Sequence, residues 1–369
     1  MAKILILISG YSRFGGTFVK VKKLIEKSSH DYVIYFPLFK KDKAIYEENK
    51  NWLLSYKDVN VKVYEGFHDR NLISHILRIH RIIKSEKIEI VHAYFNFETV
   101  IAKLYKSLVS PKTIVIRAIE GYECKKLSNI KKYVLSKSFL SVNKFVYVSK
   151  YLKKQYESDF PVLKKKDNVI IYNSPINVSE IRTQYSQRQN LVCTAGFTER
   201  KNLKILIESM NIVINTYKRP FLLELVGDGE LRDEFEKMIS NYSLHENVKL
   251  VGFTSDVSGH LNNCAIYLHS AITEGFGIAV AEAMQMGCPI IASDAGALPE
   301  LVDDGVTGYI VDAYDAKIWA DKICELMDNI ELRKKMSVAA IERVERLYNE
   351  TSYIEKHNML YDELAKNQI

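Results

Sequence analysis

Short runs of β-branched and aromatic residues alternate with amphipathic stretches along most of the chain, and this alternation leaves few folds open. The first series comprises ILILIS at 4–9, YVIYF at 32–36, VKVY at 61–64, IEIVH at 88–92, TIVIR at 113–117, KFVYVS at 144–149 and NVIIY at 168–172. A polar stretch at 173–190 follows, after which LVCTAG, FLLELVGDG, NVKLVGF, CAIYLHS, PIIAS and GYIV form a second series. Alternating strands and helices build parallel sheets with helices on both faces, so two series predict an α/β chain of two doubly wound domains. The expected division is 1–173, a linker at 174–190, 191–350, and an amphipathic segment at 351–369. A length of 369 residues, of which 47% are hydrophobic, suits two cores of this size. Ligands of such sheets bind beyond the carboxyl ends of the strands, so two facing domains predict an inter-domain cleft.

Composition narrows the setting. The five cysteines, Cys124, Cys193, Cys264, Cys288 and Cys324, are scattered and form no CxxC pair, as expected of buried thiols in a reducing compartment. After Lys3 the first apolar run is five residues long, too short for a secretion signal or a membrane span. A cytoplasmic protein is expected, one able to touch the inner face of a membrane. Residues 1–180 carry 33 Lys and Arg against 17 Asp and Glu, whereas residues 181–369 carry 19 against 28. The basic half therefore points to an anionic partner. Segment 121–166 concentrates the bias, with twelve lysines against three acidic residues. Within it Leu127, Ile130 and Val134 share one helical face near Lys125, Lys126, Lys131 and Lys132, the pattern of a helix lying on an anionic membrane or of one docked on its own sheet. No nucleic-acid recognition motif accompanies the lysines, so nucleic acid is not the expected partner.

The sharpest motif is TEGFGIAVAEAMQMGCPIIASDAGALPELVDDGVTGYIVD, in which Glu274 and Glu282 bracket a glycine-rich turn and a helix start. Gly275 and Gly277 let backbone approach a ligand, and the unpaired amides of the helix start favour a diphosphate. Carboxylates on either side can accept hydrogen bonds from sugar and ribose hydroxyls.

This stretch resembles the donor site of the retaining GT-B glycosyltransferases of family 4, also called glycosyl transferases group 1. The resemblance implies two Rossmann-like domains facing a cleft, with the last helix crossing back onto the first domain. It implies that Glu274 holds the transferred sugar, Glu282 the ribose, and the amides around Gly277 and Ile278 the diphosphate. The segment AGFTERKNLKILIES resembles the family's Gly-Arg…Lys-Asn segment, with Lys201 as the cation for the leaving diphosphate. Phe197 stands where the family has arginine, leaving Arg200 either to supply that charge or to be a solvated loop residue. Donor contacts are thus expected from Gly15, Gly16, Gly196, Lys201, Glu274, Gly275, Phe276, Gly277, Ile278, Ala279 and Glu282, and catalytic roles from Glu274, Lys201, Arg200 and His92.

His92 and Arg117 end the fourth and fifth runs, where both are expected to project into the cleft. The family often has histidine at both positions; with Arg13 and Glu120, Arg117 becomes a candidate acceptor contact. Gly227-Asp228-Gly229 resembles a family turn, with Asp228 expected to cap the following helix. No Asp-x-Asp triplet occurs, so no metal and no cofactor beyond the nucleotide-sugar co-substrate are expected. The expected activity is transfer of a hexose from a nucleoside diphosphate, with UDP the favoured base, to a hydroxyl of a lipid-linked or cell-surface polysaccharide or glycolipid acceptor. A UDP-sugar epimerase on the same scaffold and a catalytically idle sugar-nucleotide binder are the alternatives.

Overall fold

The computed structural model describes residues 1–9, 16–37, 51, 62–65, 71–124, 127–175 and 188–366. It divides into two compact units, residues 1–173 with 351–369, and residues 174–350. Among the described residues the first unit holds seven strands, β1 (Lys3–Leu7), β2 (Asp31–Phe36), β3 (Lys62–Glu65), β4 (Ile90–Ala93), β5 (Ile114–Ile119), β6 (Lys144–Tyr147) and β7 (Asn168–Ile170). The second holds six, β8 (Asn190–Thr194), β9 (Leu223–Val226), β10 (Val248–Gly252), β11 (Cys264–His269), β12 (Ile290–Ser293) and β13 (Gly308–Val311). Each apolar run of the sequence became one of these strands. Their central members are buried on both faces, which is why they are continuously apolar and do not alternate.

Both sheets are wholly parallel, in the orders β3-β2-β1-β4-β5-β6-β7 and β10-β9-β8-β11-β12-β13. The order reverses between β1 and β4, where Leu5 pairs with both Val33 and Val91, and again between β8 and β11. Connections leave the sheet in opposite directions at such a reversal, opening a crevice beyond the carboxyl ends of the two strands. The two crevices are the places where this chain can build ligand sites.

The helix Glu350–Lys366 packs on the first sheet, where Tyr353, Ile354, Leu360, Tyr361 and Leu364 join the core formed by Ile4, Ile6, Ile34 and Ile116. Glu363 adds an ion pair to Lys144 at 2.8 Å. The second core centres on Leu206, Leu225, Ile266, Ile291 and Trp319. Each such fully buried aliphatic chain contributes about 1.5–3 kcal/mol of transfer free energy.

Some local expectations change. The lysine-rich helix runs only from Asn129 to Phe139, capped by the Ser128 hydroxyl on the Lys131 amide, so Leu127 precedes it. Leu135, Ser138 and Phe139 make its buried face, whereas Ile130, Tyr133 and Val134 are exposed. Lys125 and Lys126 lie outside the described residues. Asp228 caps no helix; its carboxylate accepts from the Gly229 amide and pairs with Arg232 at 3.3 Å.

Candidate active site

The crevice between β8 and β11 assembles a charged cluster from two loops. After β8, a single 3-10 turn over Glu199–Lys201 leads through Asn202, in the left-handed region at φ 49°, into the helix Leu203–Asn211. After β11, residues 270–277 lead to the helix Ile278–Gln285, with Gly277 at φ 101° as its cap. The loops are stitched together: the Ile272 amide donates to the Arg200 carbonyl at 3.0 Å and the Ser270 hydroxyl to the Lys201 carbonyl at 2.9 Å.

Glu274 is the centre. Its Oε2 receives Lys201 Nζ at 2.5 Å and lies 3.3 Å from His269 Nε2, while Oε1 accepts from the Gly275 amide at 3.2 Å. Arg200 Nη1 stands 3.9 Å from Oε1 and donates to the Thr273 carbonyl at 3.3 Å. Burial by itself would raise the Glu274 pKa, but the Lys201 charge and the bonds from His269 and Lys201 hold it well below the usual carboxylate range. Burial and the same lysine push His269 down, favouring its neutral imidazole. An ionised carboxylate only accepts hydrogen bonds, so Nε2 carries the His269 proton; Nδ1 is buried with no partner among the described residues.

Glycine at 296 allows this placement. Gly296 has φ 65°, a Cβ there would stand 2.3 Å from the Glu274 carbonyl oxygen, and the next amide, of Ala297, donates to that carbonyl at 2.9 Å. The β8 side is held similarly: Cβ atoms at Gly227 and Gly229 would strike the Ala195 and Phe197 carbonyls at 2.1 and 2.5 Å.

The sequence candidates sort by this geometry. Arg200, Lys201, Glu274 and Gly275 come together, and Gly196 is exposed on the β8 loop. Glu282 is half-buried one turn into the helix that Gly277 caps, and Ile278 and Ala279 are half-buried at its start. The Phe276 ring is instead a packing element, buried edge-on to Tyr348 at 5.6 Å. Phe197 is fully buried against Phe235, which explains how the position does without a charge: it belongs to the core. His269 was not singled out from the sequence, although its place at the end of CAIYLHS carried the same signal as that of His92.

In the first unit several candidates are engaged elsewhere. His92 is fully buried and shares a 2.8 Å hydrogen bond with Tyr361 of the last helix, so its ring is a core group and does not project outward. Arg117, also fully buried, pairs with Glu123 at 3.0 Å and donates to the Tyr94 and Ala118 carbonyls. Glu120 is tied to the buried Lys20, which also donates to Asn173 at 2.9 Å. Arg117 and Glu120 thus make structural ion pairs where acceptor contacts were expected. Gly16 opens the helix Gly16–Lys27; Arg13 and Gly15 lie outside the described residues. Among the described residues no group of three or more His, Cys, Asp or Glu is placed to hold a metal ion, and no helix is long and apolar enough to cross a membrane.

Residues 178–343, which contain the whole Lys201–Glu274–His269 cluster, match the sequence model of the family Glycosyl transferases group 1. The match spans most of the second unit, which is a domain of this family's type. An uncharacterized glycosyltransferase of Methanocaldococcus jannaschii is 27% identical over 343 residues, 90% of this chain and 91% of that protein. N-acetyl-alpha-D-glucosaminyl L-malate synthase of Bacillus anthracis is 21% identical, covering 85% and 84% of the two chains. Anabaena HepE, solved in complex with UDP, superposes with a TM-score of 0.79 at 15% identity over 98% of this chain and 100% of that one. The fold of the chain is therefore GT-B, two Rossmann-like units, as the sequence implied.

Proposed function

We propose that this glycosyltransferase retains anomeric configuration and moves a hexose from a UDP-sugar to a hydroxyl of a lipid-linked or cell-surface polysaccharide or glycolipid acceptor, without a metal. The observation that carries this is the Lys201–Glu274–His269 cluster at the β8/β11 reversal, beside the start of the helix Ile278–Gln285. UDP in the HepE structure and the N-acetylglucosaminyl group in the Bacillus anthracis enzyme's name support the donor class.

Glu274 is held as the anion by Lys201 and His269, a suitable acceptor for donor-sugar hydroxyls. Lys201 and the helix start supply positive potential for the diphosphate, whose charge grows as the glycosidic bond breaks. The acceptor hydroxyl would attack the face that the diphosphate leaves, passing its proton to a phosphate oxygen, so no protein nucleophile is needed. Cations and backbone dipoles take the place of a divalent ion. The positive charge of the first half supports a location at the cytoplasmic face of a membrane.

The test is thermal stabilisation by UDP-, GDP- and ADP-sugars in EDTA. A shift with UDP-sugars that persists in EDTA and is lost in Glu274→Ala and Glu282→Ala is the expected result. No shift with any donor, or one that EDTA abolishes, overturns the proposal.

A further inference from the structure

A cavity lies beyond the ends of β4 and β5. It occupies about 610 Å³ in the first unit, between the start of the helix Asn96–Leu108 and the helix Asn129–Phe139. Its walls are mostly apolar, including Phe97, Val100, Leu127, Ile130, Val134 and Leu135. Ile130 and Val134 are 77% and 46% exposed, a solvation cost that the fold of this unit does not require.

Two polar features distinguish this cavity from a packing defect. Glu98, in the first turn after β4, lines it and is fully buried; the Ser9 hydroxyl beyond β1 donates to its Oε1, while Oε2 has no partner among the described residues. Burial raises its pKa to about 7, the Ser9 bond opposing, so near neutrality the group can hold a proton and donate it. Lys131 also lines the cavity and is exposed, with Lys132 and Lys137 on the same short helix. The other acid in the lining, Glu123, is already neutralised by Arg117.

We propose that this cavity binds the hydrocarbon chain of an acceptor that carries a phosphate, with the chain against Ile130, Val134 and Val100 and the phosphate toward Lys131. The choice of occupant follows from the lining. A sugar ring needs hydrogen-bonding groups around its rim, and here Asn96 and Glu123 are both engaged by Arg117, leaving Glu98 and Lys131 as the polar groups of a mostly apolar wall. An apolar chain satisfies that wall, Glu98 meets one polar linkage at its head, and the lysine side fits an anion and rejects a cation. The inference rests on the acceptor half of the proposed function and adds the acceptor's class and its seat.

Decyl phosphate, below its micelle concentration, is the probe, titrated calorimetrically into the full chain. Wild type should bind it, and both Val134→Asp and Lys131→Glu should bind about tenfold more weakly, which corresponds to about 1.4 kcal/mol. Inorganic phosphate and decyltrimethylammonium should not bind. Both substituted positions are exposed, and an unchanged UDP-sugar thermal shift shows that each variant is folded. Equal affinity in wild type and variants, equal binding of the cationic amphiphile, or no binding by wild type overturns the inference. If decyl phosphate binds as expected but no nucleotide sugar stabilises wild type, the cavity assignment stands and the proposed function fails.

Discussion

At Glu274 two opposing effects act on one carboxyl. Desolvation favours the neutral acid, and Lys201 at 2.5 Å favours the anion; the lysine wins because its charge acts at contact distance where solvent screens little. Lys201 therefore both keeps Glu274 ionised and offers its own charge to the diphosphate. Lys201→Ala should cost about 2–4 kcal/mol of transition-state stabilisation, measurable as slowed donor turnover at saturating UDP-sugar, and a fall of less than about threefold would remove it from that role. Glu274, Glu282 and Lys201 could be picked out in the sequence because the two segments that hold them resemble the donor-site motifs of a known family. His269 and His92 show where that legibility stops. Both lie at the end of a buried strand, yet one contacts Glu274 and the other Tyr361. The difference is made by whatever packs over the ring, and for His92 the covering helix begins more than 250 residues later.

Among the elements, the turn after β12 shows how backbone contact positions a side chain on another loop. Gly296→Ala meets two penalties: a left-handed φ that costs about 1–2 kcal/mol, and a Cβ driven into the Glu274 backbone that no rotamer can relieve. Gly305 is a matched control, with φ 74° but nothing within 4 Å of its Cβ position. Both alanine variants should lower the melting temperature. Gly296→Ala alone should also lose the UDP-sugar shift, and equal retention of the shift in both would show that the 296 contact does not position Glu274. Gly296 is visible within the motif, but its approach to residue 274 is a tertiary fact with no sequence mark. The ion pairs of Arg117 and Glu120 were hidden from the sequence for a related reason. Charges at strand ends suggested ligand contacts, and the pairing of Lys20 with Glu120 spans 100 residues of sequence.

Across the molecule, the strand runs set the two sheets, but the buried charge state of the first unit arises only on packing. His92 and His357 lie between the sheet and the last helix. Burial pushes both down, His357 to about 4, with His357 and Arg117 lowering His92 further. Unfolded histidines titrate near 6.5, so as the pH falls from about 6.5 toward 4 the unfolded chain takes up protons that the folded unit does not, and stability is lost. Glu98 works the other way. Its folded value near 7 exceeds the unfolded one, so between about 4.5 and 7 the folded unit holds a proton that the unfolded chain has released, and stability rises as pH falls. Two histidines thus oppose one carboxyl over nearly the same range. Glu98→Gln removes the opposing group and should steepen the loss of stability between pH 7 and 5, whereas His92→Gln with His357→Gln should flatten or reverse it. Native-state hydrogen exchange of the β4 and β5 amides isolates this unit from the other, which global unfolding of a two-unit chain does not. Identical pH slopes in wild type and both variants would mean that these groups are solvated in the native state, and that the last helix does not hold His92 and His357 away from water.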